Sequence, residues 1–265
     1  MKDFTDRVVA ITGASSGIGY ATALAFAAAQ SKIAVCARRV DRLQQLATQI
    51  RDLGSESLTI HADVSKKDDV DRFITGVLNR WGRIDVLVCN AGYGYTARID
   101  EITPDGMQQI FAVNVLGTLY AIQATLPAMK QRKEGSIVIV TSVVGRYALP
   151  LGGAYSITKF AQVALSQSLR AELKPYGIGV TTVYPGFTKT EFSQAAVNPG
   201  NRKTKSVGRS QPAEEVARAV VKAVRKNKKE LYPNRLGSIF AHAGAIFPSF
   251  LDRIMGAAAK RMGRV

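Results

Sequence analysis

The amino-acid sequence predicts an α/β fold: a doubly wound parallel sheet in a single domain, with a C-terminal helical extension. Three observations carry this expectation. Short β-branched runs alternate with helix-patterned stretches along most of the chain, the pattern of repeated strand–helix–strand units. The runs are nearly continuous in apolar residues, as strands buried on both faces require. The 265 residues suit one large core, and no linker divides it.

Taken in order, strands are expected over 7–12, 32–37, 57–61, 85–89, 136–141 and 179–184. Helices are expected near 17–29, 41–53, 67–81, 104–132, 153–174 and 212–227. Right-handed crossovers would then place a ligand crevice at the carboxyl ends of the strands. The polar, loop-like stretch 197–211 interrupts this pattern soon after Pro185-Gly186. The α/β unit is assigned to residues 1–233 and the helical extension to 234–265.

Composition narrows the function classes. The chain is 46% hydrophobic, and its longest apolar stretches look strand-length, so no bilayer-spanning helix is expected. The N-terminus runs directly into an expected strand, so no signal peptide is expected. Cys36 and Cys89 lie inside apolar runs and read as buried hydrophobes of a reducing, cytoplasmic setting. The two histidines, His61 and His242, are far apart, so neither a metal site nor a Ser/His/Asp triad is expected. The net charge is +16, and 202–235 holds eleven Lys/Arg against three Glu. That basic balance reads as a solvated face, or as attraction to anionic ligands or an anionic membrane. Nucleic acid is not expected, because no aromatic-interleaved basic stretch accompanies the charge.

The segment Thr12-Gly13-Ala14-Ser15-Ser16-Gly17-Ile18-Gly19 joins the first strand to the first helix. Its glycines allow a tight turn and close approach of backbone to a pyrophosphate, which the helix N-terminus would bind. The second strand ends Cys36-Ala37-Arg38-Arg39. An acid here would suit the ribose hydroxyl of NAD, whereas arginines suit a 2′-phosphate, so the expected cofactor is NADP (NADPH).

Tyr155 and Lys159 are four residues apart, on one face of a helix, and thirteen residues after Ser142. A phenol titrates near 10 in the reference state, and a neighbouring ammonium would lower that value. Tyr155 is thus the expected general acid and base, with Lys159 beside it. Ser142 closes a strand, where its hydroxyl can stabilise charge developing on a substrate oxygen. Asn114 lies mid-helix among apolar neighbours and completes the expected catalytic set.

These residues together resemble the short-chain dehydrogenase/reductase family in its compact single-domain branch. The matching pattern is the Gly13–Gly19 loop, Asp63-Val64, Asn90-Ala91-Gly92, Asn114, Ser142, Tyr155-x-x-x-Lys159 and Pro185-Gly186. The resemblance implies a Rossmann-type fold and a carbonyl/alcohol oxidoreductase. By the same resemblance, Asp63 and Val64 would hold the adenine. Asn90, Ala91 and Gly92 would flank the ribose side, and Lys159 would reach the nicotinamide ribose. Pro185 and Gly186 would pass under the nicotinamide, with Thr188 and Thr190 on its carboxamide. Asn114 would bend its helix and hold a water linking Lys159 to solvent. Cys89 departs from the family pattern, which commonly has a second asparagine there. A homodimer or homotetramer through the helices near 104–132 and 153–174 is also implied.

Substrate-facing candidates are Tyr93, Tyr95, Ser142, Val144, Leu149, Phe187 and Phe192. None is acidic, so the expected substrate is a hydrophobic ketone or alcohol. In the tail, Leu236, Ile239, Phe240, Ala243, Ile246, Phe247, Phe250, Leu251, Ile254, Met255, Ala258 and Met262 recur at helical spacing. Pro248 is expected to divide two helices there. Lid, subunit contact and membrane-surface helix all remain open for this segment. Two rival functions also stand: a non-catalytic NADP-sensing scaffold and an NADP-linked epimerase or dehydratase.

Overall fold

The computed structural model describes residues 3–202 and 210–261. Residues 203–209, within the expected polar loop, and 262–265, including the tail position Met262, lie outside the described residues.

Seven parallel strands form the main sheet: β1 (Val8–Thr12), β2 (Lys32–Ala37), β3 (Ser57–His61), β4 (Val86–Cys89), β5 (Gly135–Val140), β6 (Ile178–Val183) and a terminal strand, Glu230–Leu231. The order β3-β2-β1-β4-β5-β6 is completed by the terminal strand beside β6. Chain direction across the sheet reverses between β1 and β4, which is where a ligand crevice opens in such sheets. The Rossmann-type expectation is met.

Alternation along each strand builds the two cores. Val9 and Ile11 of β1, Ile33 and Val35 of β2, and Val138 and Val140 of β5 face one side. There they meet α1 (Gly17–Ala27), α2 (Val40–Asp52) and α7 (Ala213–Arg225) through Phe26, Leu46, Ile50, Val216 and Val220. Val8, Ala10, Ala34, Cys36, Ile137 and Ile139 face the other side. They meet α3 (Lys67–Trp81), α5 (Gly117–Arg132) and α6 (Gly153–Leu173) through Phe73, Val77, Ala121, Met129 and Leu169. The period of two puts successive side chains on opposite faces, so an unbroken apolar run serves both cores.

The structure corrects the sequence in three places. The helix expected over 104–132 is two helices, α4 (Pro104–Phe111) and α5, joined by a π-helical turn, Ala112–Leu116. The terminal strand is two residues long, too short to show a period in sequence. The segment Pro104–Arg132 is also long and apolar enough, by length and composition, to cross a membrane, contrary to expectation. Its contacts are those of a core helix, with Ala121, Ile122 and Met129 inside the second core.

Two helices follow the sheet: α8 (Arg235–Ile246) and α9 (Pro248–Arg261), divided at Pro248 as the sequence predicts. The α8 helix lies on the turn that follows β5. A Cβ on Gly237 would sit 3.0 Å from Val143 Cγ1, and Tyr147 packs edge-on to Phe240 at 5.6 Å. The Tyr147 hydroxyl donates to Asp252 Oδ1 at 2.5 Å, which ties α9 to the same turn.

Candidate active site

A crevice of about 770 Å³ opens at the carboxyl ends of β1, β2, β4, β5 and β6. It is lined by Gly13, Ser15, Ser16, Gly17 and Ile18 from the loop after β1, and by Arg38 and Arg39 after β2. Asp63, Val64, Asn90, Ala91 and Gly92 follow from β3 and β4. Ser142, Tyr155, Lys159, Pro185, Gly186, Thr188, Thr190 and Phe192 complete the wall. Residues far apart in sequence therefore converge because most follow the carboxyl ends of neighbouring strands, while α6 brings Tyr155 and Lys159 to the same side.

The glycine loop fits a dinucleotide by an observation independent of its spacing. Gly13 adopts φ +69°, and a Cβ there would lie 2.6 Å from Ala91 Cα. A Cβ on Gly19 would lie 2.4 Å from Asn90 Nδ2, so Gly19 serves loop packing although it does not line the crevice. Asn90 fastens the loop to the sheet: its Nδ2 donates to Gly13 O (2.9 Å) and Thr12 O (3.2 Å). Thr12 Oγ1 in turn accepts the backbone N–H of Asn90 and of Ala91. Ser16 begins α1 without turning its hydroxyl back as a cap. The helix N-terminus thus keeps its N–H groups for an anion.

Arg39 is built into this loop. Its guanidinium donates to Ser15 Oγ (3.0 Å) and Ser16 Oγ (2.7 Å), and pairs with Glu191 Oε2 at 2.8 Å. Arg42 approaches the same carboxylate at 3.6 Å. Glu191 lines the crevice but does not figure in the sequence pattern. Its place directly after Thr190 was the available signal. Asp63 Oδ1 accepts from the Ser65 N–H and hydroxyl, which fixes the turn after β3.

On the catalytic wall, Lys159 Nζ lies 5.4 Å from the Tyr155 ring centre. Nζ donates to Val140 O at 3.1 Å and to Gln162 Oε1 at 2.8 Å. Both acceptors are neutral, and burial pushes the ammonium down to about 7. Tyr155 keeps part of its ring toward the crevice. Burial raises its phenol above the ordinary value, and the Ser142 hydroxyl opposes this. The expected lowering of the phenol by Lys159 is therefore outweighed here: desolvation favours the neutral form of both groups. Ser142 Oγ donates to Pro185 O at 3.4 Å and accepts from Val144 N–H at 3.3 Å.

Asn114 sits in the π-helical turn and is fully buried. Its Oδ1 accepts from Tyr93 N–H (3.0 Å), and its Nδ2 donates to Tyr93 O (3.1 Å) and Thr158 Oγ1 (3.0 Å). The backbone at Asn114 leaves α geometry for a π-helical turn. The Asn114 carbonyl accepts from Gln162 Nε2 (2.7 Å) and Thr118 Oγ1 (2.9 Å), which fill its two lone pairs.

Of the substrate candidates, Ser142, Tyr93 and Phe192 line the crevice, and Phe192 lies 5.5 Å from the Tyr155 ring. Val144, Leu149, Phe187 and Tyr95 do not line it. Val144 and Tyr95 are buried in packing, and Phe187 is exposed. Val144 nevertheless touches the site through its backbone N–H, which donates to Ser142 Oγ. Cys89, at the departure from the family pattern, is buried in β4, and burial pushes its thiol up.

Comparison with known proteins settles the family. The short chain dehydrogenase model matches residues 7–200. The chain belongs to the short-chain dehydrogenase/reductase family. A dehydrogenase/reductase SDR family member 7B of Xenopus laevis is 33% identical to this short-chain dehydrogenase, over 96% of the chain and 82% of the relative. An alcohol dehydrogenase of Thermococcus sibiricus, solved with 5-hydroxy-NADP, is 34% identical with a TM-score of 0.75; the match covers 85% of this chain and 95% of that one. A short-chain dehydrogenase of Streptomyces avermitilis is 30% identical with a TM-score of 0.82, and 98% of each chain is covered.

Proposed function

We propose that this family member is an NADP-dependent oxidoreductase acting on a hydrophobic ketone/alcohol pair. Tyr155 is its general acid in reduction and its general base in oxidation. The observation that carries this reading is the junction of Tyr155, Lys159 and Ser142 with the Arg39–Ser15–Ser16 cluster along one crevice. NADP, when bound, supplies or accepts the hydride. Arg38, Arg39, Ser15 and Ser16 hold the 2′-phosphate. Asp63 and Val64 flank the adenine. Asn90, Ala91, Gly92, Pro185, Gly186, Thr188 and Thr190 line the remainder of its path. Ser142 orients the substrate oxygen toward the Tyr155 hydroxyl, which gives or takes the proton. The Thermococcus sibiricus enzyme, solved with an NADP derivative, supports the choice of dinucleotide.

Tyr93, Val113, Phe192, Ala195 and Val197 give the crevice apolar lining, with Phe192 5.5 Å from the Tyr155 ring, which supports a hydrophobic substrate. The test is a panel of lipophilic ketones and alcohols assayed with NADPH and with NADH. Turnover with NADPH in preference to NADH is expected. Preference for NADH overturns the reading of Arg39.

Assembly through α6 is supported by Ile157 and Phe160, exposed apolar residues three apart on that helix. Sedimentation is expected to give a homodimer or homotetramer, and Ile157→Asp with Phe160→Asp a smaller species. For the extension, the contact of α8 with the Val143–Tyr147 turn supports a lid over the substrate region. Exposed Ile239, Ile246, Phe247 and Ile254 support contact with an anionic membrane surface as a second reading, for a cytoplasmic protein peripheral at the membrane. If the full chain binds anionic vesicles no better than Ile246→Ser with Phe247→Ser, the membrane reading is wrong.

A further inference from the structure

Gln162 is a fully buried amide one turn after Lys159, and its side chain makes three hydrogen bonds, to Lys159, Asn114 and Thr118. Its Oε1 accepts from Lys159 Nζ at 2.8 Å. Its Nε2 donates to Asn114 O at 2.7 Å and to Thr118 Oγ1 at 2.9 Å. Thr118 Oγ1 also donates to Asn114 O. A buried amide with both ends engaged is held in one orientation, since flipping it would set donor against ammonium.

We propose that Gln162 is a positioning residue for Lys159: its amide, braced by the Asn114 carbonyl, anchors the ammonium from the interior. An ammonium has three donors. Val140 O and Gln162 Oε1 take two, which fixes Nζ beneath the Tyr155 ring and turns the third toward the crevice that Lys159 lines. The amide carries no exchangeable charge, so it holds Lys159 without relaying a proton inward. The reading rests on the oxidoreductase function proposed above.

The surroundings leave Gln162 as the adjustable partner. The titratable group facing Lys159 is Tyr155 on its own helix; Tyr93, which lines the same crevice, feels the Arg38 guanidinium. Val140 on β5, and Asn114 and Thr118 on the α4–α5 segment, present neutral groups. Among the described residues no carboxylate pairs with Lys159. Loss of the Gln162 acceptor would therefore disfavour the ammonium, and with it the Tyr155 phenolate.

The experiment is an ultraviolet phenolate titration of the full chain with saturating NADP+, or NAD+ where that binds better. Each protein is measured against its own Tyr155→Phe counterpart, so that the difference reports Tyr155 alone. Gln162→Met, near-isosteric, is expected to raise the Tyr155 midpoint by about one pH unit, the scale of one hydrogen bond to a charged group. The pH limb of alcohol oxidation is expected to rise with it. Thr118→Val, which belongs to the same network without touching the ammonium, is expected to shift neither. An unchanged midpoint in Gln162→Met, or an equal shift in Thr118→Val, overturns the proposal. If neither Gln162→Met nor Gln162→Leu folds, the amide is assigned to fold stability and the proposal also fails. The titration needs no substrate. A chain that shows the shift but turns over no ketone or alcohol sinks the proposed activity and leaves the role of Gln162 standing.

Discussion

The two ends of the main sheet bury one charge each and treat it in opposite ways. At the amino end, Asp85 is fully buried beside β4. Arg132 (2.7 Å), Arg83 (3.0 Å) and Arg7 (3.3 Å) surround it, and it accepts the Val8 N–H at 2.8 Å. Burial works to raise its carboxyl, but that N–H and the arginines carry it below the usual value. At the carboxyl end, Lys159 is equally buried and has only neutral acceptors, Val140 O and Gln162 Oε1. Burial therefore dominates, and its ammonium is pushed down to about 7. Opposite charge compensates desolvation where neutral dipoles do so only in part. The amino end is finished as a structure, while the carboxyl end is left to be completed by a ligand.

Substitutions at the two ends should separate activity from stability. Tyr155→Phe is expected to lower turnover about 10²–10⁴-fold, with NADPH binding by fluorescence retained and the urea midpoint unmoved. Turnover equal to that of the unaltered chain would take the proton step away from Tyr155, and no turnover by either chain would favour the sensing scaffold. Asp85→Ala strands three arginines and should cost about 3–5 kcal/mol in urea unfolding, with the active fraction keeping its turnover number. A cost near zero would make the amino-end cluster mere surface charge.

Lys159→Met should abolish turnover and yet stabilise the free chain at neutral pH. The unfolded chain holds the proton up to 10.5, whereas the folded chain releases it at about 7. Between those values the unfolded state binds more protons, so the penalty is full below pH 7 and fades as pH rises. The shift bounds the gain at about 5 kcal/mol, and roughly half of it should disappear between pH 7 and 9. Urea melts of the variant and the unaltered chain at both pH values read this. A gain that grows with pH contradicts the assignment. The smallest effect belongs to Glu191→Ala. Its ion pair with Arg39 is about two-fifths exposed on each side, so it adds little to stability. Removing this competing carboxylate should tighten 2′,5′-ADP binding a few-fold by calorimetry, with 5′-ADP unaffected. Weaker 2′,5′-ADP binding would make Glu191 part of the phosphate site and not its rival.

Much of this was legible in the chain because the relevant signals are local. Gly13 and Gly17 need positive φ in a strand-to-helix turn, and β4 and most of β1, β2 and β5 are continuous apolar runs. Tyr155 and Lys159 share a helix face by spacing alone. Other features depend on distant partners. Val144 and Leu149 looked substrate-facing because they follow Ser142, but the chain turns there and leaves them out of the crevice. The π-helical turn at Asn114 arises from bonds to Tyr93 and Thr158, far along the chain. Gln162 could have been found as a polar residue on the buried stripe of α6.

The sequence by itself determined the six longer strands of the sheet, the glycine loop and the family motifs at Ser142, Tyr155 and Lys159, since spacing, apolar period and residue chemistry are local properties. Only the tertiary structure decided the burial that shifts Tyr155 and Lys159, the pairing of Arg39 with Glu191, and the place of Gln162 behind the ammonium. Each of these depends on burial and on which distant groups come within hydrogen-bond reach, and no stretch of sequence contains that information.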